Sequence, residues 1–309
     1  MGISQYIKEI GRGKDCARSL SREQATDLFG QVLDGTVTDL EVGGFCLAMR
    51  IKGETPTEMA GFMDATAARI DALPASDRPL VVLPSYNGAR KLPVLTPLLA
   101  LLLAREGLPV LLHGTATEAT RVVVPDVLRA LDLAPLATVR KIADGEVAYA
   151  STELLCPGLK RLLDVRRVVG LRNPAHSLVK LMTPTAGPSL VVSSYTHPEY
   201  AISMGATFTL MKSHAMLLRG TEGEVVADPR RMPQMTAFLH GEPTVVQEQQ
   251  AGPLVAVPEL PKEIDAETTA GYIRDVMAGR KPVPHPIARQ VAHLVHLTNQ
   301  IGAIEAQAA

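Results

Sequence analysis

The sequence contains no tryptophan, and aromatic residues make up 4% of its 309 positions. A base-stacking surface for single strands is therefore not an expectation that composition supports. Only three cysteines occur, Cys16, Cys46 and Cys156, far apart and without metal-ligand spacing, which fits reduced thiols in a cytoplasmic protein rather than a disulfide scaffold. No long apolar run is present: Pro97 to Ala104 falls short of the roughly 20 residues a bilayer requires, and the N-terminal stretch has no signal-peptide core. Nor is there an excess of either charge. A net charge of -1 argues against a strongly basic whole surface but leaves local patches open.

What is there centres on Pro79 to Thr115. Leu80–Leu83 and Val110–Leu112 are apolar without alternation and are separated by a helical stretch, the pattern of a parallel strand pair covered on both faces. This reads as a βαβ unit. In such sheets ligands bind at the carboxyl ends of the strands, so Ser85 to Lys91 and His113 to Thr115 are expected to line one crevice.

Three helix starts precede this unit. Ser21 with Gln24, Thr38 with Glu41 and Thr55 with Glu58 each have capping-box spacing, and apolar stripes follow. Residues 1–73 are thus expected to form a small helical bundle, joined by a linker to an α/β domain over 79–309 with a mainly parallel central sheet. Further strands are expected at Glu146–Ala150, Ser189–Ser194, Thr207–Met211, Ala215–Leu218, Thr244–Gln247 and Leu254–Val257. Further helices are expected from Pro125, over Cys156–Val169, after Thr196 capped by Glu199, over Ala266–Ala278 and from Pro286 to about Ala303. Pro174 and Pro184 bracket a segment, about 172–186, that crosses back to the bundle.

The stretch from Arg22 to Phe62, with KGET between its second and third helix, resembles the N-terminal domain of anthranilate phosphoribosyltransferases and thymidine phosphorylase-like enzymes, glycosyltransferase family 3. PDVLRALDL, VRRVVGLR and RGTEGE follow in that family's order. The resemblance implies a dimerising helical domain, an α/β domain and a cleft between them where a phosphoribosyl group is transferred from phosphoribosyl pyrophosphate.

It also implies a site, and the residues depart from it. Where the family carries a glycine-rich pyrophosphate loop, this chain reads Pro84-Ser85-Tyr86-Asn87-Gly88-Ala89-Arg90-Lys91. Where it carries Lys-His-Gly-Asn, the chain reads Leu112-His113-Gly114-Thr115. Val225 and Val226 stand where it carries a magnesium-binding Asp-Glu pair, and valine offers no oxygen donor. Ser85, Asn87, Gly88, His113, Gly114, Thr115 and His176 are therefore expected to be the remainder of a phosphate or substrate pocket, with no catalytic residue and no metal or other cofactor assigned.

The YNGARK string resembles the family's YbiB-type subgroup, which implies nucleic-acid binding instead of tryptophan biosynthesis. Arg90, Lys91, Lys160, Arg161, Arg166, Arg167 and Arg172 are the expected contacts to a DNA or RNA backbone, Lys160 to Arg167 along one side of a helix. Such binding is sequence-independent and weakens by orders of magnitude as salt rises. A two-fold dimer presents each patch twice. Two other readings stay open: an active phosphoribosyltransferase of altered substrate, pointed to by His113-Gly114 and Arg166, and a small-molecule sensor that keeps only the cleft. His285, His293 and His296 lack acidic or cysteine partners for zinc, and Ser193 and Ser194 lack the glycines of a nucleophile elbow.

Overall fold

Each of the three sequence capping boxes closes a helix end, and this sets the N-terminal bundle. The computed structural model describes residues 2–13, 15–118, 120–254 and 257–308. After α1 (Ser4–Ile10), which the sequence reading did not anticipate, come α2 (Arg22–Asp34), α3 (Asp39–Lys52) and α4 (Pro56–Ala67). In α2, α3 and α4 the cap side chain accepts from the third helical N–H while the Gln or Glu there reaches back. One phenylalanine from each of them, Phe29, Phe45 and Phe62, meets at the centre, Phe29 and Phe62 stacked at 4.6 Å. In KGET, the Lys52 ammonium reaches the buried Glu58 carboxylate at 2.6 Å, and the same carboxylate accepts from the Leu20 N–H. That ties the turn between α3 and α4 to the chain before α2.

The α/β part runs β1 (Leu80–Ser85), α5 (Thr96–Arg105), β2 (Val110–Gly114), α6 (Val124–Ala130), β3 (Val147–Ser151), α7 (Thr152–Leu155), α8 (Pro157–Val169), α9 (Ala175–Leu178), β4 (Ser189–Ser194), α10 (Pro198–Leu210) and β5 (Ala215–Leu218). It ends with β6 (Met235–Leu239), β7 (Glu242–Gln247), α11 (Ala266–Met277) and α12 (His285–Ala308). The seven strands lie in the order β3-β2-β1-β4-β5-β6-β7; the first five are parallel and β6 and β7 antiparallel. Along β1, Leu80 and Val82 join the core shared with the bundle, while Val81 and Leu83 join the core under α5 and α12. The unbroken apolar run is thus buried on both faces.

Three expectations require correction. Thr207–Met211 is not a strand: Thr207 to Leu210 complete α10, where the Thr207 hydroxyl bonds the Ser203 carbonyl and Phe208 packs on Phe238. The alternation of Thr and Phe that suggested a strand arises from a helix end sitting on β6. Thr196 does not cap α10, because Pro198 takes the first helical position and His197 stands at the cap without a side-chain bond. β6 was not anticipated, and the expected strand at Leu254–Val257 includes Val255 and Ala256, which lie outside the described residues.

Candidate nucleic-acid interface and adjoining cleft

The loop after β1 lies against the loop after β2, as the parallel pairing of Ser85 with Gly114 requires. A side chain at Gly114 would begin 1.9 Å from the Ser85 carbonyl oxygen, so only glycine allows this approach. Gly88 has φ +68° and paired neighbours: Ala89 exchanges backbone hydrogen bonds with Val122 on both sides. The Thr117 hydroxyl donates to the Tyr86 carbonyl and Arg121 to that of Asn87. The chain from Thr117 to Val122 thereby covers the loop. Ser85, Asn87, Gly88, His113 and Gly114 are buried, Thr115 is half-buried, and none of them opens into the large cleft described below. The expected shared crevice is filled by the protein itself.

Two glutamates of the Gly220-Thr221-Glu222-Gly223-Glu224 string occupy the loop's donors. Glu224, fully buried, accepts from the Asn87 and Gly88 N–H groups at 2.9 and 2.8 Å and from the hydroxyls of Ser85 and Thr96 at 2.6 and 3.1 Å. One oxygen of Glu222 accepts from the N–H groups of Arg90, Lys91 and Leu92 at 2.8, 3.0 and 3.3 Å. Burial opposes that charge, yet these three N–H groups, with Arg121 nearby, hold the Glu222 carboxyl below the usual range. Glu222 does this with φ +52°, a left-handed backbone that a non-glycine residue rarely adopts. Val225 and Val226 point into the apolar core. The sequence string showed these glutamates but not that they would turn back onto β1's loop.

His113 is fully buried beside Tyr86, whose hydroxyl lies 3.0 Å from Nδ1 and 2.9 Å from the Thr152 hydroxyl. Burial pushes its imidazole down to about 3, so it stays neutral. It is part of the core and is out of reach of a ligand.

The basic residues do not form one helix face, which corrects the expectation for Lys160 to Arg167. At 3.6 residues per turn, Lys160 and Arg167 share a side while Arg161 and Arg166 sit roughly 100° and 120° away in opposite directions. Lys160 and Arg167 both pair with Asp164. Arg161 donates to the Leu33 carbonyl at the end of α2 at 2.7 Å. Arg166 turns to Glu118 at 2.9 Å, and Arg121 and Arg172 meet the same carboxylate at 2.8 and 3.6 Å. One carboxylate therefore serves three guanidinium groups; burial opposes its charge, but Arg166 and Arg121 hold it below its ordinary range. Arg90 and Lys91 are exposed, and among the described residues neither they nor Arg161 have a carboxylate within 4 Å.

A cleft of about 550 Å³ separates the α3–α4 turn from the segment joining β4 to α10. Arg172 and His176 line it, as does Lys180, which the sequence reading passed over as part of a crossing segment. That segment packs on the bundle and pairs with the linker through Leu73 and Thr185. Burial lowers the Lys180 ammonium to about 8, with Glu224 working in the other direction. Burial and the neighbouring Arg172 hold the His176 imidazole at about 4.

The helical bundle domain of the glycosyl transferase family matches residues 4–69. The chain is 39% identical to the uncharacterized protein YbiB of Escherichia coli K12 over 98% of this chain and 97% of that one. It is 27% identical to anthranilate phosphoribosyltransferase of Idiomarina loihiensis over 94% and 89%. The fold is similar to anthranilate phosphoribosyltransferase from Thermus thermophilus, with TM-score 0.70 at 20% identity over 97% of this chain and 89% of that one. It is also similar to the Saccharomyces cerevisiae enzyme in complex with PRPP and Mg, with TM-score 0.69 at 14% identity over 96% and 88%. With the bundle, the sheet and this likeness along almost the whole chain, the protein belongs to glycosyltransferase family 3, the family of the anthranilate phosphoribosyltransferases, and within it to the YbiB group.

Proposed function

We propose that this protein binds nucleic acid without sequence preference, as a cytoplasmic homodimer on a phosphoribosyltransferase fold, and that it does not carry out the transfer reaction. One observation carries the reading: the donors of the β1 loop are already held by Glu222 and Glu224. A pyrophosphate entering there meets two carboxylates, which repel it, in place of free N–H groups, and magnesium finds valines buried at 225 and 226. Stabilisation of the leaving charge, on which such a transfer depends, has no source in this loop.

The cations around the loop favour a polyanion instead. Arg90, Lys91, Arg161 and Arg167 extend into solvent, and Arg166 and Arg172 exceed the single Glu118 they share with Arg121. Contacts of this kind hold phosphates and read no bases, so duplex DNA is the first ligand to try. Exposed Leu40, Leu47 and Ile51 on α3 support a second copy docking on the bundle, which would double the basic track.

The test is a fluorescence-anisotropy titration of a labelled duplex with the native chain and the double variant Arg166→Glu, Arg167→Glu. Loss of binding by the variant with its oligomeric state unchanged is the expected result. Equal affinities would remove α8 from the interface.

A further inference from the structure

The segment from Arg172 to Lys180 brings three nitrogen donors to one side of the cleft. Arg172, His176 and Lys180 are four residues apart, α9 forms the turn between them, and all three line the cavity. Their counter-charges are scarce. Lys180 Nζ is satisfied only weakly, by the carbonyls of Gly223 at 3.3 Å and Ser194 at 3.5 Å, and among the described residues it has no carboxylate within 4 Å. Arg172 has only the shared Glu118 at 3.6 Å.

His176 is the most telling of the three. Its Nδ1 faces the Asn173 N–H at 3.3 Å, while its Nε2 is buried with no hydrogen-bond partner. In the tautomer with Nδ1 accepting, Nε2 carries the proton and is a donor without an acceptor. A buried donor left unpaired is costly and calls for explanation. The cations of the lining, Arg50, Lys52, Arg172 and Lys180, outnumber its carboxylates, Glu54 and Glu199.

Across from this segment stand aromatic rings. His197 and Tyr200, 6.3 Å apart, line the same cleft, and Tyr200 is 37% exposed. Composition spoke against a stacking surface, but the fold places two of the scarce rings next to the donors. A volume of about 550 Å³ lies within the range of small-ligand pockets.

We propose that the cleft binds a nucleotide: its phosphate accepts from Arg172, His176 Nε2 and Lys180, and its base lies against Tyr200 and His197. The nucleotide is either free or the phosphorylated end of a single strand. This deepens the nucleic-acid reading and rests on it, because a chain that holds duplex backbones on its outer cations would hold strand ends here.

Calorimetric titration of the full chain with deoxyadenosine monophosphate, deoxyadenosine, inorganic phosphate and a short 5′-phosphorylated oligothymidine tests the assignment. The phosphorylated ligands bind and deoxyadenosine does not. Lys180→Met weakens them about tenfold, the loss of one charge-assisted contact. Tyr200→Ala weakens the nucleotide but leaves inorganic phosphate unchanged. Both variants keep native affinity for a long duplex, which also shows that they fold. Binding of the oligothymidine alone assigns the site to strand ends, and binding of both assigns it to nucleotides in general. If the native chain binds the duplex but no phosphorylated small ligand, or if Lys180→Met binds like the native chain, the cleft assignment is overturned and the wider reading stands. If the duplex is not bound either, the wider reading fails with it.

Discussion

The loop from Tyr86 to Leu92 turns its N–H groups onto two carboxylates of its own chain, whereas the segment from Arg172 to Lys180 turns its cations into an open cleft. Both lie near the carboxyl edge of the same sheet, where an α/β fold places its ligands. The first region has its anions built in and is closed to others. The second has donors and no anion of its own. The difference shows how one fold loses a small-anion site and keeps positive charge beside it: the capacity to hold negative charge is filled internally in one place and left unfilled in the other.

Removing the internal anion should erase this difference at the greatest cost. Glu224→Leu strands four donors in a fully buried site, and we expect a loss of about 3–5 kcal/mol, read from urea unfolding. A loss under about 1 kcal/mol would mean that the loop does not depend on its carboxylate.

Acid offers a second test, because His113 lies in the closed region and His176 in the open one. Their folded values, about 3 and about 4, lie below the unfolded value of about 6.5. Below about pH 6.5 the unfolded chain therefore binds more protons, and stability falls as pH falls, by up to about 1.4 kcal/mol per pH unit for each histidine. His113→Phe should flatten part of that slope in thermal unfolding curves recorded from about pH 7 to about pH 4. A nucleotide bound to His176 should flatten another part by favouring its charged form. An unchanged slope in both experiments would contradict the burial assigned to these rings.

A smaller effect is expected at Glu222, whose carboxylate is partly exposed. Glu222→Gln keeps an acceptor but removes the charge, costing about 1 kcal/mol in the same urea assay. Any gain of phosphate binding by this variant would show that the carboxylate alone kept phosphate out.

The helices and the parallel core strands were legible in the sequence because their determinants are local. Ser21, Thr38 and Thr55 each carry their partner three residues on, and Leu80–Leu83 is apolar without a break. The loop after β1 was legible as a place and not as a structure. Asn87 and Gly88 meet Glu224 across more than 130 residues, a pairing set by strand order and invisible to spacing. The basic residues of α8 were found individually, but which way Arg161 and Arg166 turn depends on Leu33 and Glu118, again distant in sequence. Lys180 was missed because a lone lysine in an apolar stretch carries no motif; its meaning comes from the cleft around it.

The nucleic-acid reading is best tested by titrating a labelled DNA oligonucleotide with the native chain at low and at high salt, with phosphoribosyl pyrophosphate and magnesium added in a parallel series monitored for pyrophosphate release. Tight binding at low salt, a steep loss of affinity as salt rises, and no release of pyrophosphate are the expected results. Failure to bind the oligonucleotide at low salt, together with release of pyrophosphate in the presence of an aromatic amine, would contradict it.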